Sequence, residues 1–230
     1  MGEIYMPNTF SYPLPEHTKI NYEECFVKLL LEDMFPERYQ NLILTDKPDL
    51  IDEIHNIGIE ITSAIPKHRQ EAFNLWRTMP YQSEERQSKR KERMKQLGAE
   101  YQAGTQIWPV LGELELKEEL DELFGCFENK IRKLNNGHYT QHDRYDLFII
   151  SELWLDDKDY TMILQEFTKK NNLNLGYTLV YLVTLDNICI FHLYEKKYTT
   201  VEVSHQKSYE WAVKARQLIE TREQTEKTNR

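Results

Sequence analysis

The sequence lacks most of the features that mark zinc-binding, secreted or membrane proteins. Only three cysteines occur in 230 residues, at the distant positions 25, 126 and 189. No Cys-x-x-Cys spacing is present, so neither a zinc ribbon nor a disulfide framework is indicated, and we expect buried free thiols. No apolar run approaches the ~18 residues of a membrane span, and the first residues lack the regions of a signal peptide. These absences predict a cytoplasmic protein with no membrane association.

An excess of positive charge is also missing. The formal net charge is −9, so the chain would need a local basic patch or a metal ion to bind nucleic acid. This charge argues against a protein that coats DNA, but not against a nuclease. What the sequence does contain is 40% hydrophobic and 12% aromatic residues, which suffices for a packed core.

Helical and strand patterns alternate along the chain, which predicts one α/β domain over residues 1–230. We expect an extended arm over 1–19, a polar helical insert over 66–112 and a frayed tail over 222–230. Predicted helices cover about 21–35, 114–134, 160–172 and 207–221. Predicted strands lie within 41–45, 48–51, 58–62, 145–151, 177–184, 187–193 and 199–203.

Two acids occupy unusual places in a predicted hairpin. Asp49 begins the strand Pro-Asp-Leu-Ile, and Glu60 lies inside the apolar strand Gly-Ile-Glu-Ile-Thr. A turn near residues 54 and 55 would place the two carboxylates opposite each other on one face. Directly paired like charges destabilise a sheet, whereas a divalent cation between them would make the pair favourable. The alternatives are a turn residue for Asp49 and a solvated strand face for Glu60.

A third acid is predicted on the first helix. On a helical wheel, Glu23 falls near the centre of the apolar stripe, where an unpaired carboxylate is costly. Glu24 falls at the edge of this stripe, where it suits a capping pair with Asn21. The alternative for Glu23 is a solvated position in the first turn, where the helix dipole favours acids.

Basic residues of two kinds could serve these acids. Lys130 lies near the border of the apolar stripe of the long helix, and Lys133 lies further round it, so Lys130 is the better candidate to reach the core. The predicted insert carries a basic run that could follow a nucleic-acid backbone or form a solvated helix face. The run consists of Arg86, Lys89, Arg90, Lys91, Arg93 and Lys95.

This order of motifs resembles the PD-(D/E)XK nuclease superfamily, whose members are restriction-endonuclease-like phosphodiesterases. The resemblance covers about residues 20–152 and consists of a helix with an acid, Pro48-Asp49, Glu60-Ile61-Thr62, and a following helix and strand. It implies a mixed central sheet flanked by helices, with the segment 66–112 inserted into the core. It also implies hydrolysis of nucleic acid with Mg²⁺ or Mn²⁺.

The resemblance further assigns roles to individual residues. Asp49, Glu60, the Ile61 carbonyl and Glu23 or Glu24 would bind the metal ion. Thr62 departs from the pattern, because the superfamily carries its catalytic lysine at that place. In parts of the superfamily the lysine lies on the following helix, which here means Lys130, with Lys133 as the second candidate.

Two rival interpretations belong to other classes of protein. The departure at Thr62 suits a catalytically inactive nuclease-like fold that binds nucleic acid or protein. The second rival is an assembly protein that forms a homodimer through aromatic strands. That face would contain Tyr177, Tyr181, Phe191 and Tyr194.

Overall fold

The computed structural model describes residues 21–79, 82–101, 110–111, 116–137, 139–184 and 187–228. The predicted arm over 1–19 and parts of the predicted insert lie outside these residues. The helices are α1 (Tyr22–Met34), α2 (Lys67–Thr78), α3 (Glu84–Gln96), α4 (Leu116–Asn136), α5 (Asp157–Lys170) and α6 (His205–Thr228). The strands are β1 (Ile43–Leu44), β2 (Leu50–Asp52), β3 (Ile57–Ser63), β4 (Ala99–Glu100), β5 (Val110–Leu111), β6 (Arg144–Ile150), β7 (Tyr177–Val183), β8 (Asn187–His192) and β9 (Lys197–Glu202).

Seven strands form one mixed sheet in the order β1-β2-β3-β6-β7-β8-β9. The pairs β3–β6 and β6–β7 are parallel, and the other neighbours are antiparallel. The parallel pairs β3–β6 and β6–β7 are joined by connections that contain α4 and α5, as a parallel pair requires. This arrangement confirms the predicted α/β class with a mixed sheet between helices.

The two faces of the sheet support separate parts of the core. Helices α1 and α6 pack on one face, which includes Ile59 and Tyr181. Helices α4 and α5 pack on the other, which includes Leu147 and Phe191. Because both faces are covered, the central strands are apolar at nearly every position, as expected for parallel strands.

This coverage contradicts the predicted aromatic dimer face. Tyr177, Tyr181 and Phe191 are fully buried beneath the helices, and only Tyr194 is exposed. Strands buried on both sides need aromatic side chains for the core, so the aromatic pattern does not mark an outer surface.

The predicted insert contains α2, α3 and the small β4–β5 sheet. Met94 of α3 is buried against Ala72 and Met79 in a core of its own. Arg69 of α2 joins this region to the main core through ion pairs of 3.3 Å with Glu119 and with Glu152.

Helix α1 begins and ends where local sequence signals predict, whereas helix α6 does not end where predicted. Asn21 caps α1 by accepting a hydrogen bond of 2.9 Å from the Glu23 amide, and the helix stops shortly before Pro36, as predicted. Helix α6 instead continues to Thr228, seven residues beyond its predicted end at Thr221. Its backbone is therefore helical through most of the segment predicted as a frayed tail.

Candidate functional site

The β2–β3 hairpin brings Asp49 and Glu60 together. The antiparallel register pairs Leu50 with Ile59, and its continuation by one residue places Asp49 opposite Glu60, as predicted. The Ile61 amide donates a hydrogen bond of 2.6 Å to Asp49 Oδ2. The Asp49 side chain is 20% exposed and that of Glu60 only 4%, so the hairpin holds an acid pair at the border of the core.

Gly58 permits the close approach that positions Asp49. A Cβ atom at residue 58 would lie 2.8 Å from Pro48 Cγ, 2.9 Å from Tyr145 Cδ1 and 3.0 Å from His142 Cδ2. Real Cβ atoms do not approach other atoms this closely, so a side chain here would displace its neighbours. The absence of a side chain thus lets Pro48 pack directly on β3, next to the residue that carries the first acid.

Lys130 of α4 contacts both acids. Its Nζ lies 2.5 Å from Glu60 Oε2 and 3.5 Å from Asp49 Oδ2, and its side chain is 14% exposed. The Tyr177 hydroxyl donates a hydrogen bond of 3.2 Å to the Lys130 carbonyl oxygen, which fixes this part of the helix against β7. Lys133 is exposed, so Lys130 is the lysine of α4 that joins the acid pair.

Glu24 is the α1 acid whose charge is linked to this cluster. Burial, and then the charge on Asp49, raise the pKa of Glu24 to about 7, while Lys130 opposes that rise. Glu23 is half-buried, as Glu24 is, and its charge adds to the rise in the pKa of Glu24. The first turn of α1 leaves both residues partly solvated.

Tyr139 is a neighbour of the site that the sequence did not reveal. Its hydroxyl lies near Glu60 and lowers the pKa of that carboxyl, and burial together with the Glu60 charge raises the pKa of Tyr139. Burial also raises the pKa of Glu60, although Lys130 and Tyr139 oppose this rise. The segment after α4 has no motif, so only the fold shows that it returns to β3.

The oxygen atoms present have the right chemistry for a hard divalent cation. Among the described residues, however, no group of three His, Cys, Asp or Glu side chains is arranged to hold a metal ion. The predicted three-acid chelate is therefore not formed in this part of the chain. Mg²⁺ commonly binds through one or two carboxylates, with water and substrate phosphate as its other ligands. Asp49 and Glu60 fit that mode of binding.

The predicted basic run forms most of α3, but part of its charge is already paired. Arg93 makes two hydrogen bonds to Glu71, of 2.7 and 2.9 Å, and Lys89 pairs with Glu85 at 2.7 Å. Lys91 lies over the Tyr101 ring, 5.2 Å from its centroid. Arg86 and Lys95 of the same run are exposed, and Arg90 is half-buried.

No family model matches the chain, and neither curated proteins nor solved structures give a match. Within the described ranges, none of the helices combines the length and apolar character needed to cross a membrane.

Proposed function

We propose that this chain is a divalent-metal-dependent phosphodiesterase that cleaves nucleic acid and belongs to the PD-(D/E)XK nuclease superfamily. The observation that carries this proposal is the meeting of Asp49, Glu60 and Lys130, whose charged groups come together within 3.5 Å of one nitrogen. Asp49 directly precedes β2, Glu60 belongs to β3 and Lys130 belongs to α4. The order of elements from α1 to β6, apart from the insert, is the one that the motif resemblance implies.

The proposed roles follow from the positions of the oxygen atoms. Asp49 and Glu60 would hold Mg²⁺ or Mn²⁺ together with the Ile61 carbonyl, which in an extended strand faces the same edge as the Ile61 amide. Glu24 supplies a further carboxylate near this pair. The bound ion would lower the pKa of a water molecule and stabilise negative charge on the phosphate.

The other residues orient these groups. Tyr139 favours the charged form of Glu60, because its hydroxyl lowers the pKa of that carboxyl. Lys130 supplies the positive charge that the resemblance assigns to the residue at Thr62, and this charge could hold a phosphate oxygen. Helix α3 is the proposed contact for the nucleic-acid backbone, through its exposed residues Arg86 and Lys95.

The proposal is tested by cleavage of plasmid and single-stranded DNA and RNA with Mg²⁺ or Mn²⁺. The variants Asp49→Asn and Glu60→Gln should each lose at least about 10²-fold in rate, because each removes charge that stabilises the transition state. Glu53→Gln is the control, since Glu53 is an exposed acid in the turn of the same hairpin. Metal-dependent cleavage that persists in both site variants would exclude this site.

A non-catalytic binding module is the second candidate. It is favoured by the ammonium group of Lys130, which already contacts both acids, and by Thr62 in place of the superfamily lysine. This candidate predicts nucleic-acid binding that is independent of divalent cations and accompanied by no cleavage. A filter-binding assay with and without EDTA, run beside the cleavage assay, separates the two functions.

A further inference from the structure

A single ammonium group serves two neighbouring carboxylates at the candidate site. Lys130 Nζ lies at hydrogen-bond distance from Glu60, 2.5 Å, and within ion-pair distance of Asp49, 3.5 Å. Two like charges at opposed strand positions repel each other. The lysine thus neutralises part of the charge that a divalent cation would neutralise.

We infer that Lys130 is an internal counter-ion that opposes metal binding, and that a divalent cation displaces it from Asp49 and Glu60. This inference rests on the proposed function, because it takes the acid pair as the metal site. The inference adds that Lys130 and the metal ion exchange places at the acid pair. The lysine stabilises the metal-free protein, and metal binding frees its ammonium group to contact a substrate phosphate.

The geometry allows the lysine to move more readily than the acids. Asp49 is held by the Ile61 amide at 2.6 Å, and Glu60 is enclosed in the core with a side chain only 4% exposed. Lys130 extends from α4 on a flexible four-carbon chain. An Mg²⁺ ion would lie 2.0–2.1 Å from its ligand oxygens, so an ammonium at 2.5 Å from one of them would be strongly repelled.

The test measures Mn²⁺ binding without nucleic acid, by electron paramagnetic resonance of the free ion. It uses the complete chain as wild type, Lys130→Met, Lys130→Arg and the control Lys133→Met. Loss of the charge in Lys130→Met should tighten Mn²⁺ binding by about tenfold or more, because one positive charge no longer opposes the ion. Lys130→Arg and Lys133→Met should bind like the wild type.

Thermal unfolding supplies a second readout. Without metal, Lys130→Met should melt at a lower temperature than the wild type, and Mn²⁺ should raise its melting temperature by more than it raises that of the wild type. If Lys130→Met fails to fold, the double variant Lys130→Met/Glu60→Gln removes the repulsion between the acids. That variant should be more stable than Lys130→Met and should bind Mn²⁺ weakly.

The outcomes separate this inference from the function on which it rests. Equal or weaker Mn²⁺ binding by Lys130→Met, with clear binding by the wild type, would overturn the inference and leave the metal site intact. If neither protein binds Mn²⁺, the metal-dependent function fails, and the inference fails with it. Tighter binding by Lys130→Met alone supports both.

Discussion

Two buried acid clusters lie on opposite faces of the same sheet, and they are stabilised in different ways. Glu60 pairs in register with Leu147, on the face covered by α4 and α5, whereas Asp146 pairs with Ile59 on the face covered by α1 and α6. Glu60 shares the ammonium group of Lys130 with Asp49. Asp146 instead accepts hydrogen bonds from the Tyr39 hydroxyl and the Leu179 amide.

The Asp146 cluster satisfies its carboxylate with neutral and charged groups. The Tyr39 hydroxyl donates at 2.7 Å, the Leu179 amide donates at 3.0 Å, and Arg144 Nε lies 3.4 Å away. The register shift beside Asp146 in the β6–β7 pair accompanies the bond from the Leu179 amide to its side chain. Burial still raises the pKa of Asp146, while Arg144 and Tyr39 oppose that rise.

Burial of an acid therefore does not by itself mark a functional site. Asp146 is fully buried, and a backbone amide, a hydroxyl and the charge of an arginine compensate its carboxylate, so they explain it as part of the core. Asp49 and Glu60 face each other and share the ammonium group of Lys130. The two clusters therefore differ in their charge balance: two acids contact Lys130, whereas Asp146 is the single acid beside Arg144.

The largest expected effect is on stability at Asp146. Asp146→Ala should cost about 3 kcal/mol in the free energy of unfolding, because it leaves a buried hydroxyl and an amide without their acceptor and Arg144 without its ion-pair partner. Asp49→Ala should cost about 1 kcal/mol, because its side chain is partly exposed and water can reach the Ile61 amide. Urea unfolding at pH 7 measures both. Equal losses in the free energy of unfolding would show that Asp49 and Asp146 contribute equally to stability.

The next effect comes from the glycine that positions Asp49. Gly58→Ala should cost about 1–3 kcal/mol, because its methyl group would collide with Pro48, Tyr145 and His142. It should also weaken Mn²⁺ binding by displacing Asp49, while leaving the Asp146 cluster unchanged.

The matched control is Gly125→Ala in α4, where an added Cβ meets no atom within 4 Å. This change should raise the free energy of unfolding by about 0.5–1 kcal/mol through higher helix propensity. If Gly58→Ala is equally well tolerated and binds Mn²⁺ normally, the close approach of Pro48 does not position the site.

The next effect concerns the pH dependence of stability, and it is reduced by solvent screening because Glu24 is only half-buried. The pKa of Glu24 is raised from 4.5 to about 7 in the folded protein, so the folded state keeps a proton that the unfolded chain loses first. Without metal, its contribution should therefore make stability fall as pH rises from about 4.5 to 7 and then level off. Glu24→Gln should lose this part of the slope, and Glu23→Gln should keep it. Urea unfolding at several pH values on both sides of neutrality measures this slope. If both variants behaved like the wild type, the assignment of the slope to Glu24 would be contradicted.

The smallest effect on stability is expected in α3. Arg86→Ala/Lys95→Ala should leave unfolding nearly unchanged, because both side chains are exposed. It should lower the slope of log affinity for nucleic acid against log salt by about 1 for each phosphate that is no longer neutralised. Lys158→Ala/Lys169→Ala on α5 is the control. An equal decrease of salt dependence in both double variants would exclude α3 as the nucleic-acid contact.

Much of the fold was predictable because its signals are local. The Asn21 cap and the stop before Pro36 mark α1, and the alternation of apolar runs with amphipathic helices indicates the α/β class. The opposition of Asp49 and Glu60 was also predictable, since the short hairpin fixes its own register.

The rest depends on contacts between distant residues. The adjacent residues Glu23 and Glu24 are both half-buried, and it takes the folded structure to show that the charge of Glu24 interacts with that of Asp49. Tyr139 approaches Glu60 only after α4 has crossed the sheet. The aromatic strands were wrongly predicted to form a dimer surface. A strand buried in the core and a strand exposed for association have the same apolar sequence pattern.

Strand β9 has a consequence for handling the protein. It is the last strand in the described sheet, and the residues Lys197, Thr199, Thr200 and Glu202 along it are exposed. An exposed edge strand can pair with a strand of another molecule, and charged side chains such as these oppose that pairing. Replacing Lys197 and Glu202 with apolar residues should therefore promote aggregation at high concentration, without touching either acid cluster.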